Sequence, residues 1–425
     1  MKGNQNPFWT AVSKALAVLT VTLIAALVLA PRAQAADAYK TLYKFHSVEG
    51  PSEPEATLVF DASGNLYGAT VDGGQYGSGG VYKLAPNADG SWTETELYSF
   101  NGGSDGSLPN SAVIFDASGN LYSSTFTGGE YRYGVVYELT PNSDGTWTES
   151  VLYSFTGGSD GALPGMGEIF DAAGNLYGTT RDGGAYGRGV VFELTPNSNG
   201  TWTENVLYSF RGHKDGATPC FGNLIFDAAG NLYGTTGGWD GGSNGTVFEL
   251  TPNSNGTWTE SVLHSFRGGK DGSRAVGALT FDQAGNLYGA TYSGGTYGEG
   301  TVFKLTPGSN GKWTKDVIHQ FRGKTSGDGS NPYAGVIFDP AGNLHGTTYD
   351  GGSGPCSYQG PGCGTVFKLV PNSKGGWTEQ ILHRFNSYAA SSPVGAVVMD
   401  AAGNLYAATS NEGGNKNGTV FEITP

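Results

Sequence analysis

Five aspartates, Asp105, Asp160, Asp215, Asp271 and Asp328, fall 55, 55, 56 and 57 residues apart, each followed by glycine in a Gly-rich loop. Carboxylates gathered on one side of a fold could hold Ca²⁺ or another cation, which takes clusters of oxygen ligands. An Asp before Gly can equally cap its own turn without any ion. A second set of loops carries rings. Tyr76, Tyr131, Tyr186 and Tyr297 each stand six residues after a Thr that ends an apolar run, and Trp239 and Tyr358 sit in corresponding loops. Such rings stack on sugars or anchor a protein interface, or they simply cover the neighbouring glycines.

Basic residues are confined to the middle loops: Arg211, Lys214, Arg267, Lys270, Arg322 and Lys324. They could meet an anionic group such as a uronic acid carboxylate, or balance the adjacent aspartates. Histidine offers less. His264, His319, His383 and His345 replace a Tyr that sister segments carry, so they read as packing residues, and only His46 and His213 lie in loops. His213 with Lys214 and Asp215 is the one acid–base candidate. No HExxH, Gly-x-Ser-x-Gly or closely spaced ligand set occurs. A non-catalytic protein is the expectation, with no resident cofactor beyond a cation such as Ca²⁺.

Two of the three cysteines, Cys356 and Cys363, flank a Gly/Pro-rich insertion. A local disulfide is favoured over metal ligation, because no His or second Cys pair is near. Cys220 is left as a small apolar residue.

The elements that must position these loops are strands. Glycine is 72 of 425 residues and charged residues only 14%, while aromatics reach 12%, a balance that suits β-structure with many turns and argues against both collagen and disorder. Residues 1–35 read as a secretory signal: Lys2 and Lys14, then the apolar run 15–30, then Ala33-Gln34-Ala35. Its removal takes three basic residues and no acid, so the net charge of −14 becomes −17. That field disfavours nucleic acid and anionic lipid, and no later run is apolar enough to span a bilayer. The expected product is a secreted, periplasmic or cell-surface monomer.

After residue 40 the chain repeats. The turn Gly-Asn-Leu-(Tyr/His) recurs with its Asn at 65, 120, 175, 231, 286, 343 and 404, giving seven units of about 55 residues and one domain over 36–425. Each unit holds four strand-like runs, A to D; in the third these are 168–171, 176–180, 190–194 and 202–210. In D, alternation would send Trp202, Val206, Tyr208 and Phe210 one way and Leu207 the other. Sheets apolar on both faces must be sandwiched, so an all-β, seven-bladed propeller with four antiparallel strands per blade is predicted. The chain starts with a D-like strand and ends on A, B and C. The N-terminal strand is therefore expected to complete the last blade. B–C and D–A loops would share one variable face, A–B and C–D turns a uniform one, and binding belongs to the variable face.

The stretch 174–196, Gly-Asn-Leu-Tyr-Gly-Thr-Thr followed by Gly-Gly-x-x-Gly-x-Gly and Val-Phe-Glu-Leu-Thr-Pro, resembles the GloVer-type tandem repeat of exported bacterial proteins. That resemblance implies architecture and export and brings no biochemical activity with it. Its members often end in a surface-sorting segment, which is not expected here because Pro425 follows strand C directly. A looser likeness is to kelch propellers, in the Gly-Gly after strand B and the Trp after strand C. The functional expectation is a glycan- or protein-binding propeller. The alternatives are a polysaccharide-active enzyme using acids from A-strand ends or D–A loops, and a cell-envelope scaffold.

Overall fold

The computed structural model describes residues 38–46, 50–219, 222–239, 243–309, 311–353, 356, 362–386, 390–411 and 417–425. The expected signal segment, Cys220 and Tyr358 lie outside them. The described residues form seven antiparallel sheets in a ring, each sheet ordered A-B-C-D from axis to rim. Blade 3 is representative, with A Ile169–Phe170, B Leu176–Asp182, C Val190–Pro196 and D Trp202–Ser209. Blade 7 joins the chain ends. Its A, B and C strands are Val398–Met399, Leu405–Asn411 and Thr419–Thr424, and its D strand is the N-terminal Ala38–Lys44. No helix among the described residues is long and apolar enough to cross a membrane.

Seven apolar clusters hold the ring, one in each gap between neighbouring blades. The third residue of most B strands is glycine because the aromatic ring of strand C lies over it. A Cβ on Gly178 would come within 2.5 Å of the Phe192 ring. The repeated Gly-Asn-Leu-Tyr turn is likewise structural. Asp171 Oδ1 accepts the N–H groups of Ala173 and Asn175, and its Oδ2 accepts the Asn175 amide and the Tyr177 hydroxyl. Using Asp171 as a cap takes it out of the ladder, so strand A is shorter than 168–171.

Strand D departs from simple alternation. A bulge at Leu207 pairs Val206 with Phe192 and Tyr208 with Val191. Two residues therefore oppose one, and the side-chain direction reverses. Trp202 and Val206 pack toward blade 2, whereas Leu207, Tyr208 and Phe210 pack toward blade 4. The same bulge recurs in all seven D strands.

Candidate functional site

Each D–A connection is pinned at an equivalent non-glycine residue in the left-handed region: Glu53, Leu108, Leu163, Thr218, Arg274, Asn331 and Ser392. Its N–H donates to a carbonyl of the preceding blade's B–C loop, as Thr218 does to Arg188 and Asn331 to Glu299, over 2.6–3.0 Å. Six of the seven precede a proline. That ring packs on a loop glycine: a Cβ on Gly189 would meet Pro219 at 2.6 Å. Backbone strain of this kind costs on the order of 1 kcal/mol per residue and persists only where its surroundings fix it. It makes the loop face one continuous, hydrogen-bonded rim.

On that rim the structure assembles an arc of rings. Trp239 of the blade 4 B–C loop lies 5.5 Å from Tyr292 at the end of the next B strand. Tyr292 lies 5.9 Å from Tyr333 in the following D–A connection, and Tyr333 lies 6.0 Å from Tyr349. The Arg274 guanidinium covers Trp239 at 4.3 Å. All four rings are half-buried. Tyr333 also lines the central cavity of about 200 Å³, with Thr57, Asn110, Met166, Asn223 and Val394. No carboxyl or imidazole lines that cavity. Acids lie instead beside the arc. Burial, then the charge of Glu299, pushes Asp350 up to about 6, and burial, then Glu53, pushes Glu55 up to about 7. Tyr349 feels Asp350, Glu55 and Glu53 together.

Of the residues singled out by sequence, only Trp239 belongs to this arc. Tyr76, Tyr131, Tyr186 and Tyr297 stand apart from it, each 47–56% exposed. They do not fold away over their glycines. Arg211 lies over Tyr186 and Arg322 over Tyr297, at 5.6 and 5.7 Å. The basic loops are thus partly engaged with these rings, and Lys214, Arg267, Lys270 and Lys324 line neither the cleft that holds Arg322 nor the one that holds Arg211. His213 makes no hydrogen bond to Asp215, whose Oδ2 is taken by the Tyr208 hydroxyl and the Arg211 N–H. No acid–base pair forms there. Tyr292, Tyr333, Tyr349 and Arg274 were missed. The available signal was Tyr directly after the B-strand Thr, where other units have Val, Phe, Arg, Gly or Ser.

The five loop aspartates are not gathered into one site. Each caps its own connection and meets the aromatic residue that the D-strand bulge throws into the blade gap: Tyr98–Asp105, Tyr153–Asp160, Tyr208–Asp215 and His264–Asp271. From across the gap comes a residue of the next D strand, Glu149, Glu204, Glu260, Lys315 or Glu379. Burial, then the facing aspartate, pushes Glu149, Glu204 and Glu260 up to about 7 and Glu379 to about 8. The fifth gap opens as a cleft of about 550 Å³ on the outer wall. There His319, Asp328 and Glu379 place one ligand atom each within 4.8 Å of one another. Sequence spacing gave no warning of this group, because its members come from two blades. Elsewhere on the variable face, a disulfide joins Cys356 and Cys363, whose Cα atoms are 5.6 Å apart.

Among solved structures the chain is similar to a luciferin-regenerating enzyme, at 13% identity over 92% of this chain and 96% of that one, with a TM-score of 0.44. It is also similar to a gluconolactonase from Xanthomonas campestris, at 15% identity over 73% and 83%, TM-score 0.41. A protein of unknown function from Dyadobacter fermentans matches at 10% identity over 91% and 99%, TM-score 0.42. No curated protein sequence matches. The Gloeobacter/Verrucomicrobia repeat matches twice, over residues 88–280 and 223–425, so that every unit from the first C–D turn onward is covered, and the chain belongs to this repeat family.

Proposed function

We propose that the protein is an exported, non-catalytic propeller that binds a neutral carbohydrate on its loop face. The observation that carries this reading is the unbroken arc Trp239–Tyr292–Tyr333–Tyr349, whose Tyr333 lines the central cavity. Aromatic faces take the apolar face of a sugar ring, and neighbouring carboxyls accept its hydroxyls. Glu53, Glu55, Glu299 and Asp350 beside the arc disfavour an acidic sugar. Titration calorimetry against neutral and acidic oligosaccharides tests this. We expect saturable binding of a neutral member, weakened at least about tenfold by Tyr333→Ala and unchanged by Tyr131→Ala. No binding across the panel, or binding indifferent to Tyr333→Ala, would count against it.

One observation favours a second reading, a polysaccharide-cleaving enzyme. Asp350 and Glu55, whose charges both act on Tyr349, hold protons into the range where a general acid operates. New reducing ends appearing in the same incubations, and lost in Glu55→Gln or Asp350→Asn, would decide for it.

A further inference from the structure

The gap between blades 5 and 6 differs from its sisters in one respect that has chemical consequences. In the first three gaps of this kind a tyrosine hydroxyl donates to the loop aspartate over 2.9–3.1 Å. In the fourth, the Lys315 ammonium sits on Asp271 at 2.9 Å, beside the His264 imidazole. A built-in cation thus binds one oxygen of the carboxylate while the imidazole contacts the other. In the fifth gap the lysine is replaced by Glu379, while the imidazole and the carboxylate remain as His319 and Asp328.

His319 Nε2 lies 3.4 Å from Glu379 Oε1 and 4.0 Å from Asp328 Oδ2. Neither Nε2 nor Oε1 has a hydrogen-bond partner, although both are buried. Asp328 is held in place from behind, its Oδ2 accepting the Arg322 N–H and its Oδ1 the Gly329 N–H. The nearby guanidinium groups are turned elsewhere, Arg322 over Tyr297 and Arg384 donating to the Gly327 carbonyl. Four-coordinate Zn²⁺ with ligands at 2.0–2.2 Å sets neighbouring ligand atoms about 3.4 Å apart. The His319–Glu379 pair has that spacing, while Asp328 stands at 4.0 Å from the imidazole and would close in on loading.

We propose that His319, Asp328 and Glu379 form a binding site for a divalent first-row transition ion of the Zn²⁺ type, open to the outer-wall cleft. An imidazole with two carboxylates suits Zn²⁺ or Co²⁺; Ca²⁺ wants six or more oxygens, which this gap does not supply. The remaining coordination positions face the cleft and take water. The ion would neutralise an acidic pair and bridge two blades on the rim, in a cleft that none of the four rings of the arc lines.

The test is titration of the metal-stripped full-length protein with Zn²⁺ by calorimetry and with Co²⁺ by visible absorption. We expect one ion per chain and a rise in melting temperature on loading. Two variants have precedent within the ring and so are suited to fold. His319→Tyr restores the residue of the first three gaps, and Glu379→Lys restores that of the fourth. Each is expected to weaken Zn²⁺ binding at least about a hundredfold. Absence of binding to the unmodified protein would overturn the proposal and leave a shared proton as the occupant. Binding that survives Glu379→Lys would place the ion elsewhere and overturn it equally.

Discussion

Deleting residues 38–45 is expected to lower the melting temperature by about 10–20 °C, or to prevent folding. The N-terminal strand supplies the whole outer edge of blade 7, paired with Thr419–Thr424 along its length. Its Leu42 and Phe45 are buried in the cluster between blades 7 and 1, and Tyr39 stacks on His383 at 3.9 Å. Two buried apolar side chains contribute roughly 1.5–3 kcal/mol each, and ladder and stacking add to that. The sum is comparable with the total stability of an ordinary domain, about 5–15 kcal/mol. Calorimetric melting of the deletion checks this. Because the variant can simply fail to fold, a rearranged chain provides the second arm. Moving residues 38–45 behind Thr424 through an Asn-Gly turn, like those of blades 3, 4 and 5, should restore the original melting temperature. An unchanged melting temperature after deletion would show that the ring does not depend on this closure.

Stability should also fall as the solution is made alkaline. Glu94, Glu149, Glu204 and Glu260 stand in blade gaps where burial comes first and a second acid adds to it, pushing each to about 7. The acids they face are Glu96, Asp105, Asp160 and Asp215. In the unfolded chain a glutamate titrates near 4.3. The folded state therefore binds more protons between those values, and stability declines as pH rises through that window. Water reaches part of each side chain, so the effect is on the order of 1 kcal/mol per gap rather than the full shift. Two groups of residues oppose it on the acid side. Burial pushes His383 down to about 4, so its contribution is lost as pH falls below about 6.5. The turn aspartates are held low by hydrogen bonds, Asp339 at about 2, and release stability below about pH 4. We expect the melting temperature to peak at about pH 5–6 and to be lower by at least about 5 °C at pH 8.5. The triple variant Glu149→Gln, Glu204→Gln and Glu260→Gln should flatten the alkaline decline. A melting temperature that rises from pH 5.5 to pH 8.5 would refute the assignment.

The ring was legible because its causes are local and repeated. Asp171 capping its turn, glycine under Phe192 and the paired Gly-Asn-Leu-Tyr turns are each written seven times or nearly so, and repetition exposes them. Closure could be read from a D-like strand at one end and a missing D at the other. The direction of Tyr208 could not, because a bulge is a property of pairing and leaves no distinct residue type in strand D. That single misjudged reversal hid the blade-gap clusters, whose members His319, Asp328 and Glu379 are brought together only by it. The arc of rings was missed for a related reason. Tyr292 and Tyr349 end strands, where an aromatic looks like core, and Tyr333 belongs to a connection whose course depends on the strained Asn331. Trp239 alone was visible, since a tryptophan in a Gly-rich loop has no packing role to explain it.

Whether the loop face recognises sugar rings is tested most directly by a crystal structure of the protein soaked with the tightest-binding neutral oligosaccharide. We expect a pyranose ring against Tyr333 and its neighbours Tyr292 and Tyr349, with hydroxyls reaching Asp350 or Glu55. A sugar lodged instead on the face of the Gly-Asn-Leu-Tyr turns, or density only at the exposed Tyr76, Tyr131, Tyr186 and Tyr297, would contradict that assignment.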